Sequence, residues 1–207
     1  MKRELHEKEV RTRIIKSARK LFLRNGFDST TIRQIVKQAG VTTGSIYHFF
    51  KNKEEILGII VGEAFDHSTN QADDIAGDSA DAVYRFTLEI GLQFKMVARS
   101  RPVAELYRAT YRSHRMASLI TRKAGERNQR LFGALNPDWS REDFFYRSLA
   151  VKGIIQDSVG ERLHNPRYSL TRATPDILRA CLQVLGVPPD QITRGLNRGL
   201  KALQLEH

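Results

Sequence analysis

The chain has 207 residues, with 34 Lys and Arg against 23 Asp and Glu for a net charge of +11, and a single cysteine, Cys181. That length suits one sizeable core or a small domain joined to a larger one, while six prolines and the lack of any repeated period exclude a disordered chain or a solenoid, and one cysteine excludes an internal disulfide. No apolar run reaches the roughly 18 residues a membrane span needs, and the first residues are charged throughout, so neither a span nor a secretory signal is expected and the protein is expected in the cytoplasm.

The charge is uneven: residues 1–55 carry 13 bases and 6 acids, 56–98 carry 2 and 7, and 99–130 carry 9 and 2. A basic block at the N-terminus suits a phosphate backbone, because each neutralised phosphate releases counterions. Within it, Val10, Ile14, Ile15, Ala18, Leu21 and Phe22 form one stripe and predict a first helix over 7–24, ended by Asn25-Gly26 and preceded by a frayed basic arm at 1–6.

Ile32, Ile35, Val36 and Ala39 predict a second, short helix, and Thr31 with Gln34 fits a capping box at its start. Gly40 supplies the left-handed residue that ends it, and Thr42 is placed to cap a third helix from Thr43 to Phe50. That helix is about 12 Å long, short enough for a major groove. Ile46 and Phe49 would face the core, whereas Thr43, Gly44, Tyr47 and His48 would face outward. This is a helix-turn-helix pattern. Asn52 caps a fourth helix with Glu54 and Glu55 in its first turn, but Lys53 puts a cation where the helix dipole disfavours one. A phosphate contact would explain Lys53; simple exposure is the alternative.

The residues Thr31, Ile35, Ala39-Gly40-Val41, Gly44, Ile46, Tyr47, Phe49 and Lys53 resemble the DNA-binding domain of TetR-family transcriptional regulators, and Arg13, Ala18, Leu21-Phe22 and Gly26-Phe27 resemble its first helix. Val36 departs from the alanine more usual there, a change of packing. The resemblance implies a phosphate contact at Lys53. It also implies base and backbone contacts from Thr43, Gly44, Ser45, Tyr47 and His48, with Thr31, Arg33 and Thr42 on phosphates.

Helix four continues through Ile56, Leu57, Ile60, Val61, Ala64 and Phe65 and would link two domains, 1–53 and 54–204; residues 205–207 look like a tag remnant. After a break at 76–78, Asp78 or Ser79 should cap a helix carrying Val83, Phe86, Ile90, Phe94 and Val97, in which Gly91 signals close packing or room for a ligand. Pro102 opens a sixth helix with Leu106 and Tyr107, a seventh spans 115–135, and Ser140 with Asp143 begins an eighth ending near Leu163. Apolar residues on two faces of the eighth helix, and Ile177, Leu178, Cys181, Leu182 and Leu185 on the next, indicate either a homodimer interface or a thick internal core. A terminal amphipathic helix covers 190–204. The fold class expected is all-α: a three-helix DNA-binding domain plus a larger helical ligand-binding and dimerisation domain.

No catalytic or metal-binding spacing occurs, so no enzyme, cofactor or metal is expected. The resemblance implies a ligand site between the long helices, for which Phe86, Ile90, Phe94, Tyr107, Tyr111 and Phe145 are the candidates. The Arg99–Arg130 block leaves two readings: an anionic ligand held by Arg108, Arg112 or Arg115, or ion pairs with the acids at 73–81 and Glu89. The expected function is a dimeric, ligand-released repressor on a palindromic operator. The alternatives are a helical small-molecule binder or enzyme with a merely structural helix-turn-helix, and a nonspecific DNA binder.

Overall fold

The computed structural model describes residues 2–79 and 81–205, and among them there are ten α-helices and no strand. The first four are α1 (Lys2–Asn25), α2 (Ile32–Ala39), α3 (Thr43–Phe49) and α4 (Lys53–Ala76). They are followed by α5 (Ala82–Arg99), α6 (Arg101–Arg112), α7 (His114–Phe132, extended by a 3₁₀ turn over Gly133–Leu135), α8 (Arg141–His164), α9 (Leu170–Val184) and α10 (Pro189–Ala202). Local chemistry sets most of these ends. Both expected capping boxes form, Thr31 with Gln34 and Ser140 with Asp143, and Ser100 starts α6 with Pro102 in its first turn. Two expectations fail. The cap of α5 is Asp81, whose carboxylate accepts from the Tyr84 amide, and α1 is already helical at Lys2 rather than frayed to residue 6.

Two hydrophobic cores result. The N-terminal one gathers Ile14, Ala18 and Phe22 of α1, Ile35, Ile46 and Phe50, and the first turns of α4 through Ile56, Leu57, Ile60 and Val61, with Leu106 and Ala109 of α6 closing one side. The larger one is built from α5, α8, α9 and α10 around Phe86, Leu88, Phe144, Leu178, Cys181, Leu182 and Leu196. A domain edge at residue 53 therefore runs through a shared helix: α4 begins in one core and reaches the other at Ala72 and Ala76.

The apolar excess of α9 is spent inside the chain. Ile177, Leu178, Cys181, Leu182 and Leu185 are all buried between α5, α8 and α10, so the two-sided face reflects sandwiching of α9 by its own neighbours. Helix α8 differs, because Tyr146 and Leu149 stay exposed. Gly91 packs closely: a methyl group there would run into Leu203.

Leu205 packs into the fold. Its amide donates to the Leu200 carbonyl at 2.9 Å and its side chain is only 5% exposed, so it belongs to the larger core; residues 206 and 207 lie outside the described residues. Replacing a buried leucine by alanine costs about 2–5 kcal/mol, with the low end expected near a chain terminus. Leu205→Ala should thus lower the unfolding free energy by about 2 kcal/mol in a urea titration, whereas a dispensable tail would leave it unchanged.

Candidate nucleic-acid interface and regulatory cavity

The helix-turn-helix is assembled by short-range hydrogen bonds. Thr31 Oγ1 accepts from the Gln34 amide at 3.3 Å and the Gln34 side chain accepts from the Thr31 amide at 2.8 Å, which fixes where α2 starts. Gly40 ends it with φ at 62°, a left-handed conformation that costs a residue with a Cβ, and the Val41 amide closes back on the Val36 carbonyl. Thr42 then caps α3, its hydroxyl accepting from the Ser45 amide at 3.1 Å and lying 2.9 Å from the Ser45 hydroxyl.

Helix α3 is anchored by buried Ile46 and by Phe50 just beyond its end, with Phe49 half-buried and against the His48 ring. Thr42, Thr43, Gly44, Tyr47 and His48 are exposed, as are Thr31 and Arg33 on α2, while Ser45 is half-buried. Tyr47 is 56% exposed and has no ring or hydrogen-bond partner among the described residues. The fold thus puts eight of the nine candidate DNA-facing residues on the surface of the α2–α3 unit, all but one of them exposed.

Lys53 is the exception. Its ammonium donates to the carbonyls of Phe27, Asp28 and Thr30 at 2.9, 3.2 and 3.1 Å and sits 4.4 Å from the centre of the Phe27 ring. An ammonium has three N–H donors, so this one is committed to backbone. That explains a cation at a helix N-terminus without a phosphate: Lys53 clamps the loop between α1 and α2 onto the start of α4. Arg112 adds a second tie to the same loop, from α6, through an ion pair with Asp28 at 2.9 Å.

In the larger domain α4, α5, α6, α7 and α8 line a partly open cavity of about 750 Å³. Of the six candidate ligand contacts, Phe86, Ile90, Tyr107 and Tyr111 line it; Phe94 is buried in the core away from it, and Phe145 packs where α8 crosses Gly125. The spacing of apolar residues could not separate these, because core and cavity wall present the same face. Sequence reasoning missed the polar wall. Arg127 pairs with Glu89 at 2.6 Å and lies over the Phe86 ring, its Nη1 donates to Asn128 Oδ1 at 3.0 Å, and Asn128 Nδ2 donates to Ser148 Oγ at 2.9 Å. Gln93 also lines the cavity.

The Tyr111 hydroxyl donates to that of Tyr107 at 3.2 Å. Burial pushes Tyr111 up to about 12 and Tyr107 well above its ordinary range, so both are neutral hydroxyls at physiological pH. The arginines proposed to hold an anion lie elsewhere: Arg108 contacts His164, Arg112 pairs with Asp28, and Arg115 is exposed outside the cavity wall. Glu89 meets an arginine of that block, as the ion-pair reading expects, while Asp73 meets Arg85 instead. Cys181 is a buried thiol that burial raises to about 12, far from a nucleophile's range. Among the described residues, no group of three or more His, Cys, Asp or Glu is placed to hold a metal ion, and no helix is long and apolar enough to cross a membrane.

An exposed recognition helix on a compact three-helix unit, joined through one long helix to a cavity-bearing helical domain, defines a helix-turn-helix protein of the two-domain, all-α class. Residues 14–58 match the family model of bacterial regulatory proteins, tetR family. It is 35% identical over 90 residues to the HTH-type transcriptional regulator YxaF of Bacillus subtilis (strain 168), a match covering 42% of this chain and 47% of the relative, so the aligned part spans about half the length of that curated protein. Among solved structures it resembles RolR in complex with resorcinol, with a TM-score of 0.71 at 19% identity over 95% of each chain. It also resembles FadR of Bacillus subtilis in complex with stearoyl-CoA, with a TM-score of 0.62 at 21% identity over 84% of this chain and 98% of that one. At these identities the structural likeness establishes the shared fold.

Lys53→Met, which keeps the stem and removes the donors, should lower stability by about 1–3 kcal/mol and weaken DNA binding without changing its salt dependence. A salt titration whose slope falls by about one would restore Lys53 to direct phosphate contact.

Proposed function

We propose that the protein is a dimeric, effector-responsive transcriptional repressor of the cytoplasm that reads a palindromic operator and is released by a small molecule. The observation that carries this reading is the exposed face of α3, where Thr43, Gly44, Tyr47 and His48 stand clear of the core on a helix capped by Thr42. A helix with that face enters a major groove; Ser45 and the four residues named meet base edges and nearby backbone, while Thr31, Arg33 and Thr42 meet phosphates. Lys53 acts through the loop it holds.

Two copies pair through α8 and the outer side of α9. In support, Tyr146, Leu149 and Ala150 are exposed on α8, and Cβ atoms built at Gly153 and Gly160 would meet nothing, which leaves a flat strip on which a second helix pair can lie close. Half-exposed Ala173, Ala180 and Val184 continue it on α9. The cavity is the effector site. The two structural relatives named above carry resorcinol and stearoyl-CoA, which supports small-molecule control without identifying the molecule here.

The signal passes through α4. Its residues Gly58, Gly62, Phe65 and Thr69 line the cavity, and Gly58 lies directly against Met116 of α7. Occupancy that displaces Met116 moves α4, and with it the clamped loop and α3, so the effector favours one separation of the two reading heads.

Selection of bound sites from random DNA tests the reading as a whole: a two-fold symmetric motif is expected, with half-sites about one helical turn apart or a multiple of it. His48→Ala should change base preference within that motif while leaving the salt slope intact, and recovery of no enriched sequence would refute sequence-specific reading. Gly58→Ala pushes only the flexible end of Met116, so stability should hold within about 1 kcal/mol while the effector concentration that releases DNA shifts severalfold.

A further inference from the structure

Resting on the cavity's role as effector site, we infer that the effector is an uncharged aromatic bearing hydroxyl groups, held by Gln93 and the Tyr107–Tyr111 pair, and neither a carboxylate nor a fatty chain. The first reason is Gln93. It is 7% exposed, lines the cavity and makes no hydrogen bond to any described residue. A buried primary amide carries two donors and an acceptor, and a hydrocarbon chain beside it would leave all of them unsatisfied. A hydroxyl both accepts from and donates to such an amide.

The tyrosine pair points to the same end group. One of the pair's two hydroxyl protons is spent between them at 3.2 Å, so the other is free for an acceptor on an occupant, and a neutral hydroxyl suits it. Around these groups the wall is aromatic and aliphatic: Phe65 and Tyr107 meet edge to face at 5.9 Å, and Phe86, Ile90 and Ile155 complete the lining. Such a wall accepts a flat ring by offset stacking or edge contact. The volume of about 750 Å³ accommodates one to three rings together with solvent.

The charge beside Arg127 disfavours an anion there. Arg127, which with Lys152 is one of two part-buried cations lining the cavity, is already neutralised by Glu89 at 2.6 Å, and the paired side chains are 16% and 12% exposed. A carboxylate entering there would be desolvated and would face the Glu89 carboxylate across the same guanidinium. Lys123 and Arg130 at the rim are exposed, where water screens them, and Glu126 beside them pairs with Arg141. A hydroxyl suffers neither cost, and it can donate to a Glu89 oxygen.

Isothermal titration of the full chain, without DNA, against 1,3-dihydroxynaphthalene, naphthalene, 1-naphthoate and dodecanoate tests the inference. The diol should bind at least tenfold more tightly than the other three. Tyr107→Phe, which removes one oxygen, and Gln93→Leu should each cost the diol about tenfold and leave naphthalene unchanged or improved; circular dichroism identifies any variant that fails to fold, and Tyr107→Phe alone then suffices. Tighter binding of naphthoate or dodecanoate, no binding of the diol, or losses equal for diol and naphthalene would overturn it. A gel shift on selected DNA run in parallel separates the two levels: diol binding that leaves DNA occupancy unchanged counts against the regulatory reading while upholding the ligand class.

Discussion

Everything in this molecule depends on α4 being one rigid rod shared by two cores. Its 24 residues make a helix about 36 Å long, whose first turns are buried with α1 and α3 and whose middle forms one wall of the cavity. Neither core is complete without it. Because Ile56, Leu57 and Ile60 are buried in the core of the DNA-reading unit, a displacement of the cavity end of the helix would be carried to that unit. The Lys53 clamp and the Arg112–Asp28 pair strengthen the joint by tying the loop before α2 to α4 and to α6.

The chemistry of the joint is lopsided in a way that fits a switch. On the DNA-reading side, the contacts are buried aliphatics and a threefold ammonium–carbonyl clamp, which hold one geometry. On the cavity side, α4 offers Gly58 and Gly62 and meets the flexible end of Met116. A tight end and a compliant end allow small displacements in the cavity to be passed on as motion of the whole rod instead of being absorbed at the joint.

Local chemistry was legible in the sequence, and long-range partnership was not. Thr31, Gly40, Thr42 and Ser140 announced their roles because a cap or a left-handed turn is decided within about four residues. The exposed face of α3 followed from where Ile46 had to go. The Lys53 clamp was not legible, because its partners, the carbonyls of residues 27, 28 and 30, lie far back along the chain and leave no side-chain signature. The arginines of α6 and α7 could not be sorted for the same reason: composition gathers them into one block, yet Arg112 reaches the DNA-reading unit, Arg108 reaches α8, Arg127 pairs with Glu89 in the cavity wall and Arg130 lies at its rim. On α9, two apolar faces were visible, but whether a partner chain or the chain's own α5, α8 and α10 covered them was a question of topology.

The coupling itself can be measured without knowing the effector, because linkage is reciprocal: if an occupant of the cavity changes DNA affinity, DNA must change the cavity. Hydrogen exchange of the protein with and without its selected operator reads this directly. Altered exchange is expected in residues 58–70 of α4 and 116–124 of α7, which line the cavity and lie outside the DNA contact surface, alongside protection at 31–53. Protection confined to residues 31–53, with the cavity walls unchanged, would contradict the account of α4 as the shared rod.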